Sequence, residues 1–178
     1  MKFTIIKLIL CLFLISGCTQ IIHLPEGGVR PKKPNFSLSK KAQKLKNIEL
    51  IDTTTIYIGK FKSGIKLDTL YYFMRFFNNG RVYSSTLLDT LPTNDDMNNL
   101  KKGMIGYYYL NGNELITEIF YPQNFGQYRV EHGKIKGDTL IFYKEKHSLF
   151  STYTSNEISK ILVKYKNSKL VLWSHPDW

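Results

Sequence analysis

The chain has 178 residues, two cysteines and a formal charge of +11. Nine of its 25 basic residues fall within residues 1–47 beside a single acid, Glu26, so residues 48–178 carry 16 basic and 13 acidic side chains. That near balance excludes the clustered basic face that nucleic-acid binding requires. Cysteines only at positions 11 and 18 exclude a disulfide-stapled domain.

At the N-terminus, Lys2 and Lys7 flank a short basic segment, and Leu8–Ile15 is apolar apart from Cys11. A basic start, an apolar run too short for a stable span and small residues at its end form a secretory signal. The stretch Ile15-Ser16-Gly17-Cys18 resembles the lipobox read by the lipoprotein signal peptidase. The resemblance implies that residues 1–17 are removed and that the Cys18 thiol carries diacylglycerol. Two or three acyl chains hold a protein firmly where one is marginal, so Cys18 is the expected membrane anchor. Thr19 and Gln20 lack the Asp that can retain lipoproteins at the inner membrane, which makes the outer membrane the expected destination and the inner membrane the second choice.

Residues 19–36 contain Pro25, Gly27, Gly28, Pro31 and Pro34 and read as an extended tether. Ser37 is positioned to cap a short helix over 37–47, with Leu38, Ala42 and Leu45 on one face. Seven basic residues in 19–47 sit next to the membrane, where they either meet anionic headgroups or form a solvated linker. The sequence thus divides into a signal peptide (1–17), a lipidated cysteine with a basic tether (18–47) and a domain (48–178).

From Ile48 the chain turns to β-branched and aromatic residues separated by turn signals. Strands are predicted near 48–61, 70–78, 81–87, 104–111, 114–121, 126–133, 135–144, 159–167 and 169–174. Asn78-Asn79-Gly80 and Asn111-Gly112-Asn113 are hairpin turns, since Asn and Gly tolerate positive φ. His132-Gly133-Lys134 and Lys166-Asn167-Ser168 are weaker turn signals. A short helix is predicted near 94–102, with Asp95 and Asp96 at its positive start and Gly103 as its stop. Longer connections (62–69, 88–103, 122–125 and 145–158) alternate with the tight ones. In a meander this gathers the tight turns at one end and the long loops at the other. A sheet of eight or nine antiparallel strands tends to close and so remove its edges. The expected fold is therefore all-β, an up-and-down antiparallel barrel of 8–9 strands.

Three stretches, Arg75-Phe76-Phe77-Asn78-Asn79-Gly80-Arg81-Val82, Gly106-Tyr107-Tyr108-Tyr109 and Gly133-Lys134-Ile135-Lys136-Gly137-Asp138-Thr139-Leu140, resemble those of small lipocalin-like lipoproteins of Gram-negative bacteria. The resemblance spans roughly 48–174 and implies a calycin-type barrel with room for one small ligand.

Enzyme chemistry finds no footing. His23, His132, His147 and His175 lack metal-ligand spacing, no Gly-x-Ser-x-Gly elbow occurs, and Asp89, Asp95 and Asp96 do not follow the calcium-loop pattern. No catalytic residue, metal or cofactor is expected. Among 25 aromatic residues, Phe125, Phe150 and Tyr153 fall in expected mouth loops with His147. There they either line a ligand entrance or fold back to plug the barrel. Arg75 and Glu118 each sit mid-strand among apolar neighbours and are either outward charges or interior ones that orient a polar group. The leading expectation is a non-enzymatic, membrane-anchored barrel for a small apolar or amphipathic ligand. The second is an envelope interaction protein whose barrel is filled and whose loops meet another protein.

Overall fold

The computed structural model describes residues 21–44, 48–62, 69–123, 126–148 and 151–178. Eight antiparallel strands close into a barrel. The small hairpin β1 (Ile21–His23) and β2 (Val29–Pro31) precedes it. The barrel strands are β3 (Ile56–Lys62), β4 (Thr69–Phe76), β5 (Arg81–Leu88), β6 (Met104–Asn111), β7 (Glu114–Tyr121), β8 (Gln127–Lys136), β9 (Thr139–Ser148) and β10 (Ser151–Lys164). Each pairs with its sequence neighbour, and β10 closes on β3 through Val163–Ile58 and Lys164–Tyr57. The all-β, up-and-down barrel expected from turn spacing is the fold observed, with eight strands. It is consistent with a calycin-like architecture.

Two expected turns hold. Gly80 (φ 75°) and Gly112 (φ 57°) occupy left-handed backbone in the β4–β5 and β6–β7 hairpins. The turn expected at His132-Gly133-Lys134 does not form. β8 runs through it to Lys136, and Gly137 (φ 55°) makes the turn instead. Gly133 serves packing. It lies opposite Phe142, and a Cβ there would stand 3.1 Å from that ring and 3.0 Å from the Ile141 carbonyl. Of the expected loop 145–158, the described residues 145–148 and 151–158 are strand, with His147 opposite Thr152 and Lys146 opposite Tyr153. The expected strand 169–174 is irregular chain. The predicted 94–102 helix is shorter, α2 (Asn94–Asn98), begun by a capping box between Thr93 and Asp96.

The largest departure lies before the barrel. The stretch 19–36, expected as an extended tether, docks on the barrel through Gly28, Val29, Arg30 and Phe36, and the expected 37–47 helix follows it there. That helix is one turn, α1 (Ser39–Ala42), and Ser37 does not cap it. The Gly28 N–H donates to the Lys101 carbonyl (2.9 Å), and a Cβ at Gly28 would overlap that carbonyl, so only glycine permits the approach. The Arg30 guanidinium donates to the Gly103 carbonyl (2.7 Å) and to that of Leu100. Val29 and Phe36 form a cluster with Ile105 and Phe120 on the outer wall. The segment descends that wall until Ala42 meets Gly80, and Leu50 and Ile51 then join the interior core at the tight-turn end. The C-terminal segment covers the neighbouring wall, where Leu170, Leu172 and Trp178 pack on Ile56, Phe73, Phe77 and Tyr83.

One end of the barrel is therefore closed, by three tight turns and residues 48–55. The other end carries the β3–β4, β5–β6, β7–β8 and β9–β10 connections, no described residue of which joins the interior core, and is the open end.

Candidate binding site

Register fixes which side chains enter the barrel. Towards the closed end the inward face holds Tyr57, Phe76, Val82, Tyr108, Leu110, Leu115, Ile135, Leu140 and Leu162, all in one core cluster. Phe76 meets Tyr57 and Tyr108 edge to face at 5.7 and 5.0 Å between centroids.

The inward face changes character in the half nearer the open end. β8 pairs Arg129 with Ile119, Glu131 with Thr117 and Gly133 with Leu115. Ile119 and Leu115 belong to the interior core, so Arg129 and Glu131 share its face. On β10, irregular pairing between Ile158 and Lys160 sets Ile158 opposite Tyr143 and Lys160 opposite the interior Phe142. Bulges commonly re-aim a side chain in this way. The Lys160 ammonium donates to both carboxylate oxygens of Glu131 (2.8 and 2.7 Å), with side chains only 10% and 21% exposed. The same ammonium stands 4.5 Å from the Tyr72 ring and 4.6 Å from the Phe142 ring. Arg129 lies 4.7 Å over Tyr121. With its amide oxygen turned inward, Gln127 accepts from Arg129 Nη2 (2.6 Å) and Nε (3.0 Å).

Around this charged group, the buried hydroxyls of Tyr72, Ser84 and Thr117 have no hydrogen-bond partner among the described residues. The Tyr72 phenol stands beside the Ser84 and Tyr121 hydroxyls. Burial, then the Glu131 charge, pushes the Tyr72 phenol well above its ordinary value. Burial likewise raises Tyr121, with Tyr72 and Glu131 adding to the effect. Both phenols therefore remain neutral donors at ordinary pH. A buried polar group left unmatched costs about 1–3 kcal/mol, so each such group calls for an explanation. The open half thus offers three unmatched hydroxyls, two cations and one carboxylate beside apolar walls.

Arg75 and Glu118 lie elsewhere. Both are buried (4% and 3% exposed), but on the outer face of the sheet, under the terminal segments. Glu118 accepts from Ser37 Oγ (3.0 Å) and the Leu38 N–H (2.7 Å), clamping the N-terminal segment. Arg75 donates to the Met97 carbonyl, Asn98 Oδ1 and both Ser174 oxygens (2.7–3.1 Å), and stands 4.6 Å over Phe77. Burial lowers its pKa to about 10, which leaves it charged at neutral pH. The interior alternative for these two charges is thereby replaced by a clamping role.

Phe125, Phe150 and Cys18 lie outside the described residues. His147 and Tyr153 stand on paired strands next to the β9–β10 connection at the open end, not in a long loop, and their side chains lie outside the described set. Sequence reading missed Tyr72, Ser84, Thr117, Tyr121, Arg129, Glu131 and Lys160. The available signal was Arg129 and Glu131 at a two-residue spacing, but the flanking Tyr128 and Val130 suggested the opposite phase. Compared with known proteins, the chain has no match among family models, curated proteins or solved structures.

Proposed function

We propose that this protein is a cell-envelope lipoprotein, anchored through Cys18 to the outer membrane, whose barrel binds one small amphipathic molecule in its open half. The observation that carries this reading is the set of orphan hydroxyls of Tyr72, Ser84 and Thr117 around the Lys160–Glu131 pair. A ligand's polar group placed among these hydroxyls would supply them with hydrogen-bond partners. Arg129 and Lys160 against Glu131 leave the site one positive charge in excess, which favours an acidic headgroup. The apolar part of the ligand would lie along Phe61, Met104 and Phe142.

The test compares a fluorescent fatty acid with its neutral alcohol analogue on the full-length protein. Arg129→Gln should weaken the acid by about tenfold or more, as expected for a lost charge-assisted bond, and leave the alcohol nearly unchanged. Native mass spectrometry of protein from its own host would then reveal the natural ligand by mass. If neither probe binds and no small molecule accompanies the protein, the barrel is filled, and an envelope contact with another protein becomes the better reading.

A further inference from the structure

We infer that the open end of the barrel faces the lipid bilayer, so that the site exchanges its ligand directly with the membrane. The inference rests on the lipidation of Cys18 proposed above. Its remaining support is geometric.

The described chain begins at Ile21, three residues after Cys18. Ile21 joins the cluster of Val29, Phe36, Ile105 and Phe120, and its side chain lies against Gly126 in the β7–β8 connection. Phe120 and Gly126 both belong to the open end. Three residues fully extended reach about 10 Å, so the acylated sulfur cannot lie much farther than that from the open rim. The closed end is about 20 Å away, by the rise of eight tilted residues. A long tether would leave orientation free. Here the segment that sequence reading takes for a tether is docked on the wall through Gly28, Arg30 and Phe36, and only three peptide steps separate Cys18 from Ile21.

The surface near Ile21 suits a bilayer. Ile22 is 43% exposed on β1, and Leu88 and Leu91 are 57% and 50% exposed where β5 runs out at the open end. Asp89 (φ 53°) holds that turn by accepting from the Thr69 N–H (2.7 Å), which fixes the two leucines to a rigid rim. Lys32 and Lys33 follow β2 directly, are exposed, and make no ion pair among the described residues. Cations beside apolar side chains at this position match the headgroup and acyl layers of an anionic membrane.

The experiment uses full-length lipidated protein reconstituted into phosphatidylethanolamine–phosphatidylglycerol vesicles with brominated acyl chains. Cys11 leaves with the signal and Cys18 is acylated, so an introduced cysteine is the single free thiol. A fluorophore at Thr90→Cys, between the two leucines, should lose at least half its emission to the bromines. The same label at Asn113→Cys, in the β6–β7 turn, should lose almost none. Leu88→Ser with Leu91→Ser should reduce quenching at position 90 while flotation with the vesicles persists. Flotation with equal quenching at both positions, or stronger quenching at 113, overturns the orientation and leaves the anchor standing. Failure of the protein to float removes the anchor, and the orientation with it.

Discussion

In the closed half of the barrel, Tyr57, Phe76 and Tyr108 interlock, and both phenols are matched. Tyr57 accepts from the Asp52 N–H (3.0 Å), and Tyr108 donates to the Phe77 carbonyl (2.9 Å). In the open half, Tyr72, Ser84 and Thr117 are buried too, yet none of their hydroxyls has a partner among the described residues. The same strands supply both halves, so chain topology does not explain the difference. Burial of apolar surface with every polar atom satisfied marks a region selected for stability. Burial with polar atoms left over marks a region that gives up some stability for another purpose.

The largest expected effect falls in the closed half. Phe76→Ala removes a fully buried ring between two tyrosines and should cost about 3–5 kcal/mol, read as a lowered denaturant midpoint at unchanged slope. Probe affinity of the molecules that remain folded should not change. A parallel loss of affinity would mean that the two halves are not separable.

The second effect tests the charged pair. Lys160→Met leaves Glu131 uncompensated. Breaking a fully buried pair costs about 3–5 kcal/mol, and the partial exposure of these two side chains brings the expectation down to about 1–3 kcal/mol. Replacing both, Lys160→Met with Glu131→Leu, should restore stability to near wild type, because a buried pair contributes little net. Acidic-probe binding should be lost in both variants. A double variant as unstable as the single one would make the pair a structural element and weaken the binding-site reading.

The barrel itself is legible because turn chemistry is local. Asn79-Gly80 and Gly112 announce their turns by the backbone angles they accept. Gly133 and Gly137 look alike in sequence, but one makes room for Phe142 and the other turns the chain, and only the pairing partner tells them apart. The charged half is hidden in the sequence for a related reason. Alternation in Tyr128-Arg129-Val130-Glu131 normally places the aromatic and aliphatic residues inward. Here the outer wall is itself covered, so Tyr128 finds apolar cover outside, against Phe36 and Phe120 (4.9 and 5.2 Å), and the charges point in. A segment read as a tether, residues 21–44, is what inverts the pattern. Lys160 was hidden by the irregular pairing of β10, which periodicity alone does not register. For Arg75 and Glu118, apolar neighbours correctly signalled burial but could not indicate which face was buried.

The smallest effect discriminates most sharply between the halves. Thr117 is fully buried, stands between Tyr108 and Glu131 in the ladder, and bears an unmatched hydroxyl. Thr117→Val keeps the shape and the β-branch, exchanging that hydroxyl for a methyl group. If the hydroxyl served folding, its loss would destabilise the barrel by about 1 kcal/mol, the usual worth of a hydrogen bond. With no partner among the described residues, the substitution should instead be neutral or stabilise by up to about 1 kcal/mol, since an unmatched polar group leaves the interior. Affinity for the acidic probe should fall severalfold at the same time. A more stable protein that binds less well is the signature of a site maintained for a ligand. A less stable protein with unchanged affinity would place Thr117 in the structural core and remove it from the site.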